Sequence, residues 1–157
     1  MKSKSNTSEV PQILLNVVLT GGGISFLDFM KHPGASRRLY QARIPYSTAS
    51  IDAFLGKPQE HYCSVETTAA YYKKLEAEIK AASPLVVNCS LSTDREKRGT
   101  NRIFIAFNGV IHSIIGIGGN RYDQDLTVGG LVEAIVTDEI DPKFVKEHIG
   151  EYTCHKI

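Results

Sequence analysis

The stretch Gln-Ile-Leu-Leu-Asn-Val-Val-Leu over residues 12–19 is nearly all apolar and rich in branched side chains, and it stops abruptly at Thr20-Gly21-Gly22-Gly23. An apolar run of that length without alternation suits a strand buried on both faces, the pattern of a sheet covered by helices on either side. Beyond the glycines, Ile24, Phe26, Leu27 and Met30 follow rough helical spacing until Pro33-Gly34 breaks it. Strand, glycine turn and short helix together open an α/β unit.

The rest of the chain extends that reading. Leu39 to Ile44 is a second extended segment, stopped by Pro45. Tyr46-Ser47-Thr48 then supplies a hydroxyl to cap a helix running through Leu55, closed by Gly56-Lys57-Pro58. Ser64, with Thr67 three positions on, opens the longest helical stretch, Val65 to Ala82, whose mixed Lys and Glu mark a solvent face. Pro84 to Leu91 reads as another buried strand. Arg102 to Phe107 and Val110 to Ile117 are joined at Asn108-Gly109, the strongest short hairpin signal, so the sheet is mixed. Asp123 to Thr137 returns to helical period despite Gly129-Gly130, where either the helix breaks or something packs very close. A short helix follows Pro142, and the residues after it through Ile157 show no clear pattern. The expected architecture is a single-domain, three-layer α/β/α sandwich over residues 11–157, preceded by a disordered tail over 1–10.

Composition narrows the function classes. A net charge of +1, from 18 basic and 17 acidic residues, gives no general field for a nucleic acid or a membrane surface. Cys63, Cys89 and Cys154 are odd in number and far apart, which fits neither a disulfide framework nor paired metal-ligand spacing. The N-terminal ten residues lack an apolar signal core, and no apolar run approaches the ~20 residues that span a bilayer. The expectation is a cytosolic chain without metal or cofactor.

Two segments are candidates for chemistry. Glycines between a buried strand and a helix let backbone approach a ligand, and the helix start offers unpaired N–H groups to a phosphate or carboxylate. Thr20-Gly21-Gly22-Gly23 matches neither the dinucleotide fingerprint nor the P-loop pattern, so a tight structural turn and a ligand site both remain open. Thr93-Asp94-Arg95-Glu96-Lys97-Arg98-Gly99 lies between two strands, at the sheet end where α/β proteins bind ligands, and Arg95, Lys97 and Arg98 are placed to clamp a phosphate. A solvated charged loop is the plain alternative, with Asp94 and Glu96 neutralising much of the charge. Arg102, at the start of the next strand, needs a partner if that position is buried, either Asp94 or a ligand. His32, His61, His112, His148 and His155 show no metal-ligand motif and read as surface or capping residues; Cys89 reads as a small buried side chain, and no Cys-His nucleophile pair is visible by sequence proximity.

Several segments together resemble the CinA C-terminal domain family, whose bacterial members include nicotinamide mononucleotide amidohydrolases. Thr20-Gly21-Gly22 is similar to the second half of that family's Glu-Ser-Cys-Thr-Gly-Gly segment, and Pro33-Gly34-Ala35-Ser36 and Tyr46-Ser47 follow at the usual intervals. Ser64-Val65-Glu66-Thr67-Thr68-Ala69 looks like its Val-Ser-x-Glu-x-Ala helix start. Leu91 to Gly99 stands where the amidohydrolases have Gly-Ile-Ala-Gly-Pro and resembles a divergent branch, sometimes joined to nucleotidyltransferase domains, with a Thr-Asp-Arg-x-Lys-Arg-Gly segment. The resemblance implies a pocket of Thr20, Gly21, Gly22, Gly23, Ser25, Ser36, Tyr46, Ser47, Thr93, Asp94, Arg95, Lys97, Arg98 and Arg102. Its implied ligand is a phosphorylated small molecule such as nicotinamide or nicotinate mononucleotide.

The same resemblance places the family's proposed serine nucleophile at Val18 and its activating lysine at Ile51, so both halves of the dyad are absent. A hydroxyl needs a positioned base to attack an amide, and the ordinary amidohydrolase activity is therefore expected to be lost or altered. The alternatives are an active deamidase with its nucleophile relocated to Thr20, Ser25, Ser36 or, first to test, Ser47, and a non-catalytic protein that self-associates as relatives do, with Gly129-Gly130 admitting a second helix.

Overall fold

The computed structural model describes residues 13–94 and 99–157. The expected N-terminal tail, and Arg95, Lys97 and Arg98 of the charged loop, lie outside the described residues. Six strands form one mixed sheet in the order β2-β1-β3-β4-β5-β6: β1 (Leu15–Thr20), β2 (Leu39–Arg43), β3 (Ser83–Ser90), β4 (Arg102–Phe107), β5 (Val110–Ile115) and β6 (Glu151–Lys156). β1 pairs in parallel with β2 and β3, and β3 through β6 pair antiparallel. The helices are α1 (Thr48–Leu55), α2 (Val65–Glu78), α3 (Arg121–Val136) and α4 (Pro142–His148), with 3-10 helices at Ile24–Lys31 and Ala35–Arg37. None of the described helices is long and apolar enough to cross a membrane.

Every residue of β1 is buried, as its unbroken apolar run requires. Leu15, Val17 and Leu19 face a core shared with Phe26 of the first 3-10 helix, Val128, Leu131, Val132 and Ile135 of α3 and Val145 of α4. Val18 turns to the opposite core, with Ile51 of α1 and Tyr71, Tyr72 and Leu75 of α2. The sheet thus lies between two helical layers. The connection from β1 to β2 packs on one face and that from β2 to β3 on the other, so the order of strand addition switches sides between β1 and β3 while all three strands stay parallel; the crevice at such a point is where open α/β sheets bind ligands.

Local chemistry sets the boundaries. Ser47 and Ser64 accept from the backbone N–H groups of Ser50 and Thr67, capping α1 and α2 as expected. Asp141 caps α4 ahead of Pro142. Asn108 and Gly109 both have positive φ, 53° and 79°, the geometry that twists a two-residue hairpin correctly. Three expectations need correction. The helix expected through Ala82 stops at Glu78, because Ser83 N–H must reach the Leu14 carbonyl at 2.7 Å to start β3. The helix expected from Asp123 begins at Arg121, capped by Asn120. The patternless C-terminus is an edge strand, β6.

At Gly129-Gly130 the helix continues unbroken. A Cβ on Gly129 would lie 2.3 Å from Ser25 Oγ and 3.1 Å from the Phe26 nitrogen, so the close-packed element is this chain's own 3-10 helix; a Cβ on Gly130 would meet nothing within 4 Å.

Candidate functional site

The C-terminal ends of β1, β2 and β3 and the N-terminus of α3 meet at one end of the sheet. Gly21, with φ of 82°, packs so tightly on β3 that a Cβ would sit 1.9 Å from the Cys89 carbonyl oxygen, which makes this glycine a structural necessity. Its neighbours Gly23, Ile24 and Ser25 point their N–H groups at the Asp125 carboxylate of α3, at 2.8, 3.3 and 3.0 Å. Ser25 Oγ in turn donates to the Asp125 carbonyl at 2.7 Å. The anion that the glycine turn calls for is therefore supplied from within the chain, 100 residues away.

Arg121, at the first position of α3, is the cation shared by two clefts of this site, with Lys31 lining the larger one and pairing with Asp28 at 3.7 Å. Its guanidinium donates to the Gly21 carbonyl at 2.7 Å, the Tyr46 hydroxyl at 2.8 Å and the Ser92 carbonyl at 3.1 Å, linking β1, the segment after β2 and the segment after β3. Those partners are neutral, and no salt bridge to Arg121 occurs among the described residues. An arginine in the first turn is disfavoured by the helix macrodipole, whereas Asp123 in the same turn and Asp125 just after it complement that dipole. Beside it the fully buried Gln124 accepts from Ser92 N–H at 2.9 Å and donates to the Ser92 hydroxyl at 3.0 Å and the Gly119 carbonyl at 2.9 Å. Asn101 donates to the Ile117 carbonyl at 2.8 Å, tying the β3–β4 connection to the segment after β5.

Two clefts adjoin Arg121. One, of about 290 Å³, is lined by Gly21, Gly22, Ile24, Ile44 and Tyr46; the other, of about 530 Å³, by Ser25, Asp28, Lys31, Tyr122 and Leu126; Arg121 and Asp125 wall both. A third, also of about 290 Å³, lies between Ser92, Thr93, Thr100, Asn101 and Ile117. Of the residues expected at the site, Gly21, Gly22, Tyr46 and Ser25 thus come together. Thr20 is 5% exposed beneath the turn and Gly23 is buried. Ser47 follows Tyr46, but its hydroxyl caps α1. Thr93 lines the third cleft, and Asp94 is exposed next to it. Ser36, exposed on the second 3-10 helix, lines none of the three. Arg102 is exposed at the very start of β4, so the buried charge that demanded a partner is not there.

Arg121, Gln124 and Asp125 were not reached by sequence reasoning. A basic residue directly after an Asn cap, where the helix dipole disfavours it, is the one local signal that pointed to Arg121.

Val18 and Ile51, 0% and 6% exposed, belong to one apolar cluster with Tyr71, Leu75 and Phe104. Burial pushes the Tyr71 phenol pKa up, against a weaker opposing effect of Thr20, and its hydroxyl makes no well-formed hydrogen bond. Among the described residues, none of the hydrogen bonds made by Ser25 and Ser47 involves a lysine or histidine. Among the described residues no group of three His, Cys, Asp or Glu side chains is arranged to hold a metal ion.

No protein-family model matches the sequence, and no curated protein matches it. In three dimensions the chain is similar to a solved structure: the competence or damage-inducible protein from Enterobacter asburiae superimposes with a TM-score of 0.64 over 88% of this chain and 94% of that one, at 11% identity. This chain shares the fold of that protein. At this identity the similarity speaks for architecture, and the site chemistry rests on the residues described above.

Proposed function

We propose that the chain binds a phosphorylated small molecule of the pyridine mononucleotide class at the Arg121 crevice and does not hydrolyse it. The observation that carries the reading is the Arg121 guanidinium, oriented by three neutral acceptors, free of salt bridges among the described residues and walling two clefts. A guanidinium held in this way is pre-organised to receive an anion, because its rotamer is already fixed before the ligand arrives. The cleft volumes are of the order that small-ligand sites occupy. The ligand class follows from the resemblance of the Thr20, Pro33 and Tyr46 segments to the CinA C-terminal family, in keeping with the shared fold. The absence of turnover follows from Val18 and Ile51, which supply neither nucleophile nor base and are packed among apolar side chains.

The test is the melting temperature with and without millimolar nicotinamide or nicotinate mononucleotide. Ligand at a hundred times its Kd stabilises the folded state by about 2.7 kcal/mol, and a chain of this size responds by roughly 5–10 °C. The phosphate-free nucleoside is expected to give no shift, Arg121→Gln to lose the shift relative to its own unliganded baseline, and Tyr46→Phe to reduce it. No shift with either mononucleotide overturns the proposal.

A further inference from the structure

β6 carries a chain of hydrogen bonds remote from the Arg121 crevice. Cys154 is exposed and lies directly opposite His112 in the β5–β6 register, and Tyr152, two residues earlier, projects from the same face. Cys154 Sγ donates to the Tyr152 hydroxyl at 3.4 Å, that hydroxyl lies 2.7 Å from His112 Nδ1, and the thiol itself is 3.8 Å from the same nitrogen. The His112 and Tyr152 rings are nearly parallel, 7° apart with centroids 6.0 Å apart, which fixes the imidazole against the phenol. His112 also walls a cavity of about 450 Å³ with Phe107, Val110, Ile135, Val136 and Ile140. That cavity reaches Ser83 and Asn108, at the end of the sheet opposite Arg121.

We propose that Cys154, Tyr152 and His112 form a covalent-modification site for α,β-unsaturated carbonyl compounds, whose hydrocarbon part enters the cavity beside His112. With the imidazole protonated at Nε2, the order of donation runs from thiol to phenol to Nδ1. In the reaction the Cys154 sulfur bonds to the β-carbon and the C=C π pair shifts to an enolate. The thiol proton passes through the Tyr152 hydroxyl to His112 Nδ1 and returns to the α-carbon. Nothing leaves, and no oxidant or reductant is consumed. Acyl transfer needs oxyanion donors in addition to a base, whereas conjugate addition to soft carbon needs only a thiol, a base and return of the proton, which is what this cluster provides. Two electrostatic effects support the relay. Burial lowers the His112 pKa, keeping the ring in its basic form, and burial together with the neighbouring thiol raises that of Tyr152, keeping the phenol a donor.

The full chain is treated with 1-octen-3-one, and the adduct at each cysteine is followed by mass spectrometry beside an unstructured peptide of residues 148–157. Cys154 in the folded chain is expected to react about tenfold faster than in the peptide, below the ~100-fold of a fully positioned base because the thiol stays at the surface. His112→Gln and Tyr152→Phe are each expected to bring the rate down to that of the peptide. Acrylamide, without a hydrocarbon tail, is expected to gain less from folding than the octenone. A folded-chain rate no greater than the peptide's, or an unchanged rate in a His112→Gln protein that melts cooperatively, overturns the proposal.

Discussion

Replacing Gly129 by alanine and, separately, Gly130 by alanine places the same methyl group at adjacent positions of α3 in opposite surroundings. In a helix interior alanine is favoured over glycine by about 1 kcal/mol, and at Gly130, where a Cβ meets nothing within 4 Å, that gain is expected nearly in full. At Gly129 the new Cβ is 2.3 Å from Ser25 Oγ, which must swing away and abandon its bond to the Asp125 carbonyl. That loss costs about 1 kcal/mol. The Phe26 nitrogen at 3.1 Å and the Ser25 carbonyl carbon at 3.2 Å are backbone and have to shift as well, an overpacking cost of about 1–3 kcal/mol. Set against the propensity gain, Gly129→Ala is expected to be destabilised by about 1–3 kcal/mol. Urea unfolding read at matched m-values gives both numbers. Equal effects at the two positions, or a Gly129→Ala protein as stable as the parent, would refute the packing of the 3-10 helix on α3.

Asp125→Ala removes the acceptor of three N–H groups and is expected to cost about 2–3 kcal/mol, with Asp125→Asn, which keeps one acceptor oxygen, costing less; a change below ~0.5 kcal/mol in urea unfolding of Asp125→Ala would count against the capped turn. On the acid side, two separable parts of the pH dependence of stability come from His112 and Glu78. Because the folded-state pKa of His112 is lowered, the unfolded chain binds the extra proton first, so stability falls as pH drops below about 6.5, and His112→Gln is expected to flatten that region of the urea-midpoint profile. Glu78 is held low chiefly by its bonds to Arg43, so its contribution is present above the ordinary carboxyl pKa and is lost only at more acid pH, a loss that Glu78→Gln is expected to abolish.

How much of this was legible in the sequence depended on how local the cause was. β1 could be read because burial on both faces leaves an unbroken apolar run, and the β4–β5 hairpin because Asn108-Gly109 satisfies its turn geometry by itself. β6 could not: only Tyr152 of Glu151-Tyr152-Thr153-Cys154-His155-Lys156 is buried, so an edge strand of this kind shows no alternation of apolar residues. At the site, Gly21, Gly22 and Tyr46 were visible as a turn and a motif, whereas Asp125 and Arg121 reach the same turn from a helix 100 residues later, a juxtaposition that only tertiary packing creates. The same holds for Cys154 and His112, 42 residues apart and brought together by strand register. Gly129-Gly130 posed the right question, a break or a close neighbour, and the neighbour proved to be Ser25.

Isothermal titration calorimetry with nicotinamide mononucleotide reads binding and turnover in one experiment. Heats are expected to saturate at one ligand per chain and to return to the original baseline after every injection, with no heat from Arg121→Gln. A baseline that stays displaced while substrate remains would mean continuing hydrolysis despite Val18 and Ile51, and the absence of any binding heat from the parent protein would contradict the assignment of the Arg121 crevice.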